Sequence, residues 1–314
     1  MRLEWLALAA VAVCASCVSL DGCVAPAPVG GAVAELRGRD GEPAEIVGEP
    51  EGERVRALRG YCASPRSARG AERVAASYSG ALRGQGSAPS LRGRVALVTV
   101  LVDTQKRSWT RVRRARLATS ASQSRALLLR EARRYGVDDL SIDLVTLDAT
   151  RAEVTLPELD TDAYDRFAPE TVSALDREVR RAAAEALGAT LDEIATSFRT
   201  QGYHSVAFVA AFPFELRARD FAMSESSFWD RDAEVAFVFA GTATGPLSYT
   251  LAHESLHLFG AEDLYTLATF DPADRRDVMQ VPCATAGASV VAGTTAWAIG
   301  WRDRPPARAY PIAK

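Results

Sequence analysis

Lysine is nearly missing from this 314-residue chain: it occurs at Lys106 and Lys314, and arginine supplies almost all the positive charge. Alongside abundant alanine and glycine, this reads as coding bias and carries no functional signal. An excess of one sign of charge is lacking too. Lys+Arg total 37 against Asp+Glu 40, a formal net charge of -3, so no global field draws the chain to nucleic acid or to an anionic membrane. Long apolar stretches are confined to residues 5–20, shorter than the roughly 20 residues of a membrane span, which excludes a polytopic membrane protein. With 48% hydrophobic and 25% charged residues, the chain can bury a full core as one large or two small domains, and disorder throughout is excluded. Histidine is scarce as well: His204, His253 and His257 are the whole set. Any site that needs imidazole is nearly located by counting.

Residues 1–23 read as an export signal, which places the mature chain outside the cytoplasm of a bacterium. Two cleavage readings compete. One is an ordinary signal-peptidase site near Ala25 or Ala27; the other is a lipobox-like Leu20-Asp21-Gly22-Cys23, with Asp21 atypical. In the second, an acylated Cys23 would anchor the protein to a membrane without spanning it. Of five cysteines, Cys14, Cys17 and Cys23 fall in or beside this segment, leaving Cys62 and Cys283 as a candidate disulfide pair. A second role for Cys62, as an inhibitory thiolate from a pro-segment, is the less favoured reading.

Residues 24–92 are rich in Ala, Gly, Pro, Arg and Glu without sustained periodicity, as expected of a linker or pro-segment. The folded domain is expected over 93–314. It starts with a nearly continuous apolar run at 95–102, followed by a helix over about 121–135 closed by Gly136, and a second strand at 142–147. Pro169 opens a helix that runs to Gly188, and Thr190 with Glu193 forms a capping box for the next. Strands follow at 206–212 and 235–239. The order β-α-β-α-β-β predicts an α/β fold with a mostly parallel twisted sheet, helices on its faces and an antiparallel edge strand. The basic run Lys106, Arg107, Arg111, Arg113, Arg114, Arg116 with Trp109 reads as a solvated connection and not a nucleic-acid patch. Asp160, Asp162 and Asp165 lack the Gly-containing loop of a calcium site and read as an acidic surface loop.

The chemistry concentrates at His253-Glu254-Ser255-Leu256-His257. Four residues on a helix advance about 400°, so both imidazoles share one face, one turn apart, and can clasp one ion. Glu254 leaves that face sideways and is placed to hold water. A tetrahedral zinc then needs one more protein ligand and an open position. Gly260 permits a sharp turn after the helix, and Asp263, three residues on, is the expected third ligand, with Glu262 as substitute. His204 precedes a strand and reads as a surface or satisfied core histidine.

His253-Glu-x-x-His257-x-x-Gly260-x-x-Asp263 resembles the zinc-binding sequence of the metzincin metallopeptidases, with Asp where the third His usually stands. That variant is similar to the snapalysin-like and immune-inhibitor-A-like bacterial secreted enzymes, and Asp263-Leu264-Tyr265 adds to the likeness. The resemblance implies a zincin-like α+β architecture, with an upper subdomain over 93–260 and a lower one over 261–314. It makes Asp277-Val278-Met279 the Met-turn, with Met279 as apolar floor, and 294–301 a helix of the lower subdomain. It also implies a zinc-dependent endopeptidase, Glu254 as general base, and an extended protein or peptide substrate added to strand 235–239, read as the edge. Tyr265 reads as packed aromatic sooner than oxyanion donor. A monomer is expected. Three other readings stay open: a zinc amidohydrolase acting on cell-wall peptides or small amides, a non-catalytic metal-containing lipoprotein, and a two-His, one-carboxylate iron enzyme.

Overall fold

The computed structural model describes residues 83–84, 87–155, 169–213, 222–224, 233–240, 247–264, 276–280 and 289–306, with 36–37 and 43–44; for 36–37, 43–44, 169–173 and 222–224 this is backbone alone. The apolar run 5–20, Cys23, Cys62, Cys283, Tyr265, Asp160, Asp162 and Asp165 lie outside the described residues. Among the described residues no helix is long and apolar enough to cross a membrane. The chain divides into two units, Met1–Ala57 and Leu58–Lys314. In the first, β1 (Leu36–Arg37) and β2 (Pro43–Ala44) pair antiparallel.

The second unit is a mixed α/β fold. Strands β3 (Arg94–Thr104), β4 (Ser141–Val154), β5 (Ser205–Phe212) and β7 (Val235–Phe239) run parallel, and β6 (Ala222–Ser224) pairs antiparallel with β7, in the order β4-β3-β5-β7-β6. Among the described residues five helices accompany them: α1 (Arg111–Arg134), α2 (Pro169–Leu187), α3 (Leu191–Thr200), α4 (Leu247–Leu258) and α5 (Gly293–Ala298). The mostly parallel sheet with an antiparallel edge strand is present, but the edge is β6. Strand 235–239 is internal, between β5 and β6, and all five of its residues are buried. A three-residue strand carries too little periodicity to register in the sequence.

The alternation along the central strands separates two cores of different grain. Val206, Phe208, Ala210 and Phe212 of β5 and Val235, Phe237 and Phe239 of β7 face α2 and α3, and Phe212 stacks on Phe239 with centroids 5.0 Å apart. The opposite face carries Ala207, Val209, Ala211, Ala236 and Val238. These small side chains let a helix approach closely, and α4 packs there through Leu251, Ala252 and Leu256, with α1 beside it. The helix bearing the two paired histidines is thus pressed into the sheet and buried nearly all round.

Helix α1 begins ten residues earlier than its apolar pattern suggests. Thr110 caps it by accepting from the Arg113 N–H, so Arg111, Arg113, Arg114 and Arg116 occupy its first turns and not a connection. Leu117 is its first buried residue, which is why the 3.6-residue period is silent before it. The capping box Thr190–Glu193 is formed as the spacing requires.

Residues 87–92, compositionally part of the linker, are packed. Ala88 and Leu91 are fully buried, Leu91 N–H donates to Ile299 O at 3.0 Å, and Trp301 Nε1–H donates to Leu91 O at 2.7 Å. Ser87 N–H donates at 2.8 Å to the buried carboxylate of Glu234, just before β7. Burial raises the Glu234 carboxyl above its ordinary 4.5, with Ser87 and Arg180 opposing. A carboxyl more easily protonated in the folded than the unfolded chain contributes stability that is complete below the ordinary value and lost as pH rises through the folded one. Glu234→Gln is therefore expected to gain stability relative to the native chain as pH rises above about 4.5. Urea titrations of both proteins across that range check it; a difference that does not vary with pH removes the argument.

Candidate metal centre

Helix α4 ends in a paired turn that determines the site. Gly260 has φ 92°, Gly260 N–H donates to His257 O at 2.9 Å, and Ala261 N–H donates to Leu256 O at 3.1 Å. This is the Schellman arrangement with glycine at its left-handed position. The chain therefore doubles back: Ala261 O accepts from His257 Nδ1 at 2.7 Å, and Asp263 comes under the helix.

Each histidine has its Nδ1 committed to a carbonyl. His253 Nδ1 donates to Val278 O at 2.7 Å, as His257 Nδ1 does to Ala261 O. That fixes the tautomer and leaves both Nε2 lone pairs outward. The two Nε2 atoms are 3.3 Å apart, and Asp263 Oδ1 lies 3.1 Å from His253 Nε2 and 3.3 Å from His257 Nε2. Three lone-pair donors in such a triangle repel one another without a positive centre, whether protons or a metal. In a tetrahedral zinc site with ligand distances of about 2.0–2.1 Å, neighbouring ligand atoms stand about 3.3 Å apart. The triangle has that edge, so these residues fit zinc.

Burial lowers the proton affinity of both imidazoles, and Asp263, joined by Glu254 at His253 and by the Ala261 carbonyl and Glu262 at His257, more than reverses this, leaving both raised from 6.5. Asp263 is correspondingly held well below the usual carboxylate range: burial acts upward, and the two histidines overcome it. The three groups compete for one positive charge.

Glu254 stands apart from the triangle. Its Oε1 is 3.8 Å from His253 Nε2, and its Oε2 is buried with no hydrogen-bond partner among the described residues. Ligand-capable atoms of His253, Glu254 and His257 all fall within 4.8 Å of one another, yet the shorter distances belong to Asp263, which makes Asp263 the third corner and Glu254 the neighbour. Burial pushes the Glu254 carboxyl up to about 8; His253 opposes and Asp263 adds to the rise. Burial thus strengthens the carboxyl's hold on a proton.

Asp277, Val278 and Met279 are wholly buried. Val278 O receives both His253 Nδ1–H and, at 2.6 Å, the hydroxyl of Tyr249. Met279 O accepts from Leu264 N–H at 2.9 Å, tying the residue after Asp263 to the same turn. Asp277 Oδ1 accepts from Met279 N–H at 2.6 Å and from Thr295 Oγ1 at 2.9 Å, and its Oδ2 accepts from Ala292 N–H. Asp277 thus anchors this turn, and an Asp two residues before a turn amide is its signal in the sequence. Glu262, next to Asp263, makes no part of the triangle. His204 is elsewhere, with Nε2 3.0 Å from Ser90 Oγ.

No family model matches the chain, and no curated protein matches it. Among solved structures, metalloproteinase-II from Bacteroides fragilis is similar over 68% of this chain and 53% of its own, at 11% identity and a TM-score of 0.36. The chain thus spans about half the length of that structure.

Proposed function

We propose that the protein is an exported zinc-dependent endopeptidase of metzincin type, with His253, His257 and Asp263 as metal ligands and Glu254 as general base. The observation that carries this reading is the triangle of His253 Nε2, His257 Nε2 and Asp263 Oδ1, with edges of 3.1–3.3 Å, beside a buried carboxylate outside it. Zinc, when bound there, supplies Lewis acidity toward water and toward a substrate carbonyl. Glu254 takes the proton of the attacking water and returns it to the leaving amine. The carbonyls of Val278 and Ala261 hold the imidazoles in the tautomer that coordinates, and Met279 keeps the floor apolar. Strand β6, the edge of the sheet among the described residues, takes the peptide-docking role by strand addition that the resemblance implies for 235–239.

Export rests on the apolar run 5–20, and lipid anchoring on Cys23. The buried Glu254 favours hydrolysis over a non-catalytic or iron site, neither of which uses a carboxylate beside the first ligand. Zinc amidohydrolysis would use the same groups and differs only in substrate. Purified full chain is expected to carry about one zinc and to cleave casein in a manner stopped by a chelator and restored by zinc. Absence of bound metal, or cleavage indifferent to the chelator, overturns the proposal.

A further inference from the structure

Glu131, in the last turn of α1, is 1% exposed and outside the site. Its Oε1 accepts from Arg130 Nε at 2.9 Å; its Oε2 accepts from Arg134 Nη1 and, at 3.1 Å, from the N–H of Val291. The same end of α1 grips that stretch twice more: Arg130 Nη2 donates to Ser289 O at 2.7 Å, and the Tyr135 hydroxyl donates to Val291 O at 2.9 Å. Three side chains from one helix end, Arg130, Glu131 and Tyr135, thus converge on Ser289 and Val291.

Val290, between those two, is bonded in turn to the segment that holds His253. Val290 N–H donates to Arg276 O and Val278 N–H donates to Val290 O, both at 2.9 Å, forming a parallel bridge between Asp277 and Val290. Val278 O is the acceptor that orients His253, and Met279 O holds Leu264 beside Asp263. A buried carboxylate is costly unless its partners are fixed, so the Glu131 cluster defines one position of 289–291 and leaves little play in the carbonyl beyond it.

We propose that Glu131 is a positioning residue for the metal centre: by fixing 289–291 it fixes the Val278 carbonyl and hence the direction of His253 Nε2. This rests on the metallopeptidase reading. Groups that orient a histidine ligand from outside the metal's own shell alter metal affinity or activity by about 10–100-fold when removed.

The test uses the full chain loaded with zinc or with cobalt(II). In competition against a chromogenic chelator, Glu131→Gln is expected to weaken zinc binding about 10–100-fold and to change the visible absorption envelope of the cobalt form. Tyr135→Phe leaves the Glu131 ion pairs intact and removes one bond to the same stretch; a shift of about twofold to fivefold in the same direction is expected, and this variant decides the matter if Glu131→Gln does not fold. Glu234→Gln, a buried carboxylate bonded to Ser87, is expected to keep native affinity and spectrum. Native affinity and spectrum in both Glu131→Gln and Tyr135→Phe, or an equal shift in Glu234→Gln, overturns the proposal alone, since the native chain still binds zinc. A native chain that binds no zinc overturns it together with the metallopeptidase reading.

Discussion

Glu254→Gln is expected to lower peptide hydrolysis by about 10²–10⁴-fold while zinc content stays native. The two halves of this outcome have separate causes. Glutamine matches glutamate in shape, so the apolar packing of α4 against β5 and β7 is undisturbed, and the His253–His257–Asp263 triangle does not include the changed group. What is lost is the carboxyl group beside the triangle, whose hold on a proton burial strengthens. Metal analysis and casein cleavage on the same preparation check both halves. Full hydrolysis in the variant removes Glu254 from the reaction; loss of zinc would instead make it a ligand.

Asp263→Ala is expected to abolish hydrolysis by emptying the site, with zinc affinity falling by more than the roughly 10–100-fold typical of groups outside the metal's shell. Asp263 is the sole anion of the triangle. Without it two neutral imidazoles face a divalent ion, one ligand short of the three that catalytic zinc sites use. Its depressed proton affinity means the carboxylate is ready to bind metal throughout the range in which the histidines are neutral. Chelator competition gives the affinity, and Glu262→Ala is the matching control, expected to bind as the native chain does. Stoichiometric zinc in Asp263→Ala would transfer the third position to another group.

Local geometry explains what could be read without coordinates. Two imidazoles four residues apart must share a helix face, and Gly260 is the residue that a left-handed turn requires, so the approach of Asp263 follows from short-range rules. The same rules missed α1's start, because four arginines before Leu117 carry no apolar period. They missed β6 for its brevity, and the packing of 87–92 because Leu91 is held by Ile299 and Trp301 and not by neighbours. Least legible were the groups that aim the ligands. Val278 supplies a backbone carbonyl, which leaves no trace in residue identity, and Glu131 acts on Val291 across 160 residues of chain. Side-chain type records local preference; it does not record which distant amide a carboxylate will meet.

The Leu91–Ile299 and Trp301–Leu91 bonds join the segment before β3 to the end of α5. A ribosome delivers His253 and His257 well before residue 289 emerges, so the paired imidazoles exist for a time as an unaimed couple on a helix with no sheet-wide clamp. On the proposed function, competence to retain zinc is therefore expected late in synthesis, once Leu91 meets Ile299 and Trp301.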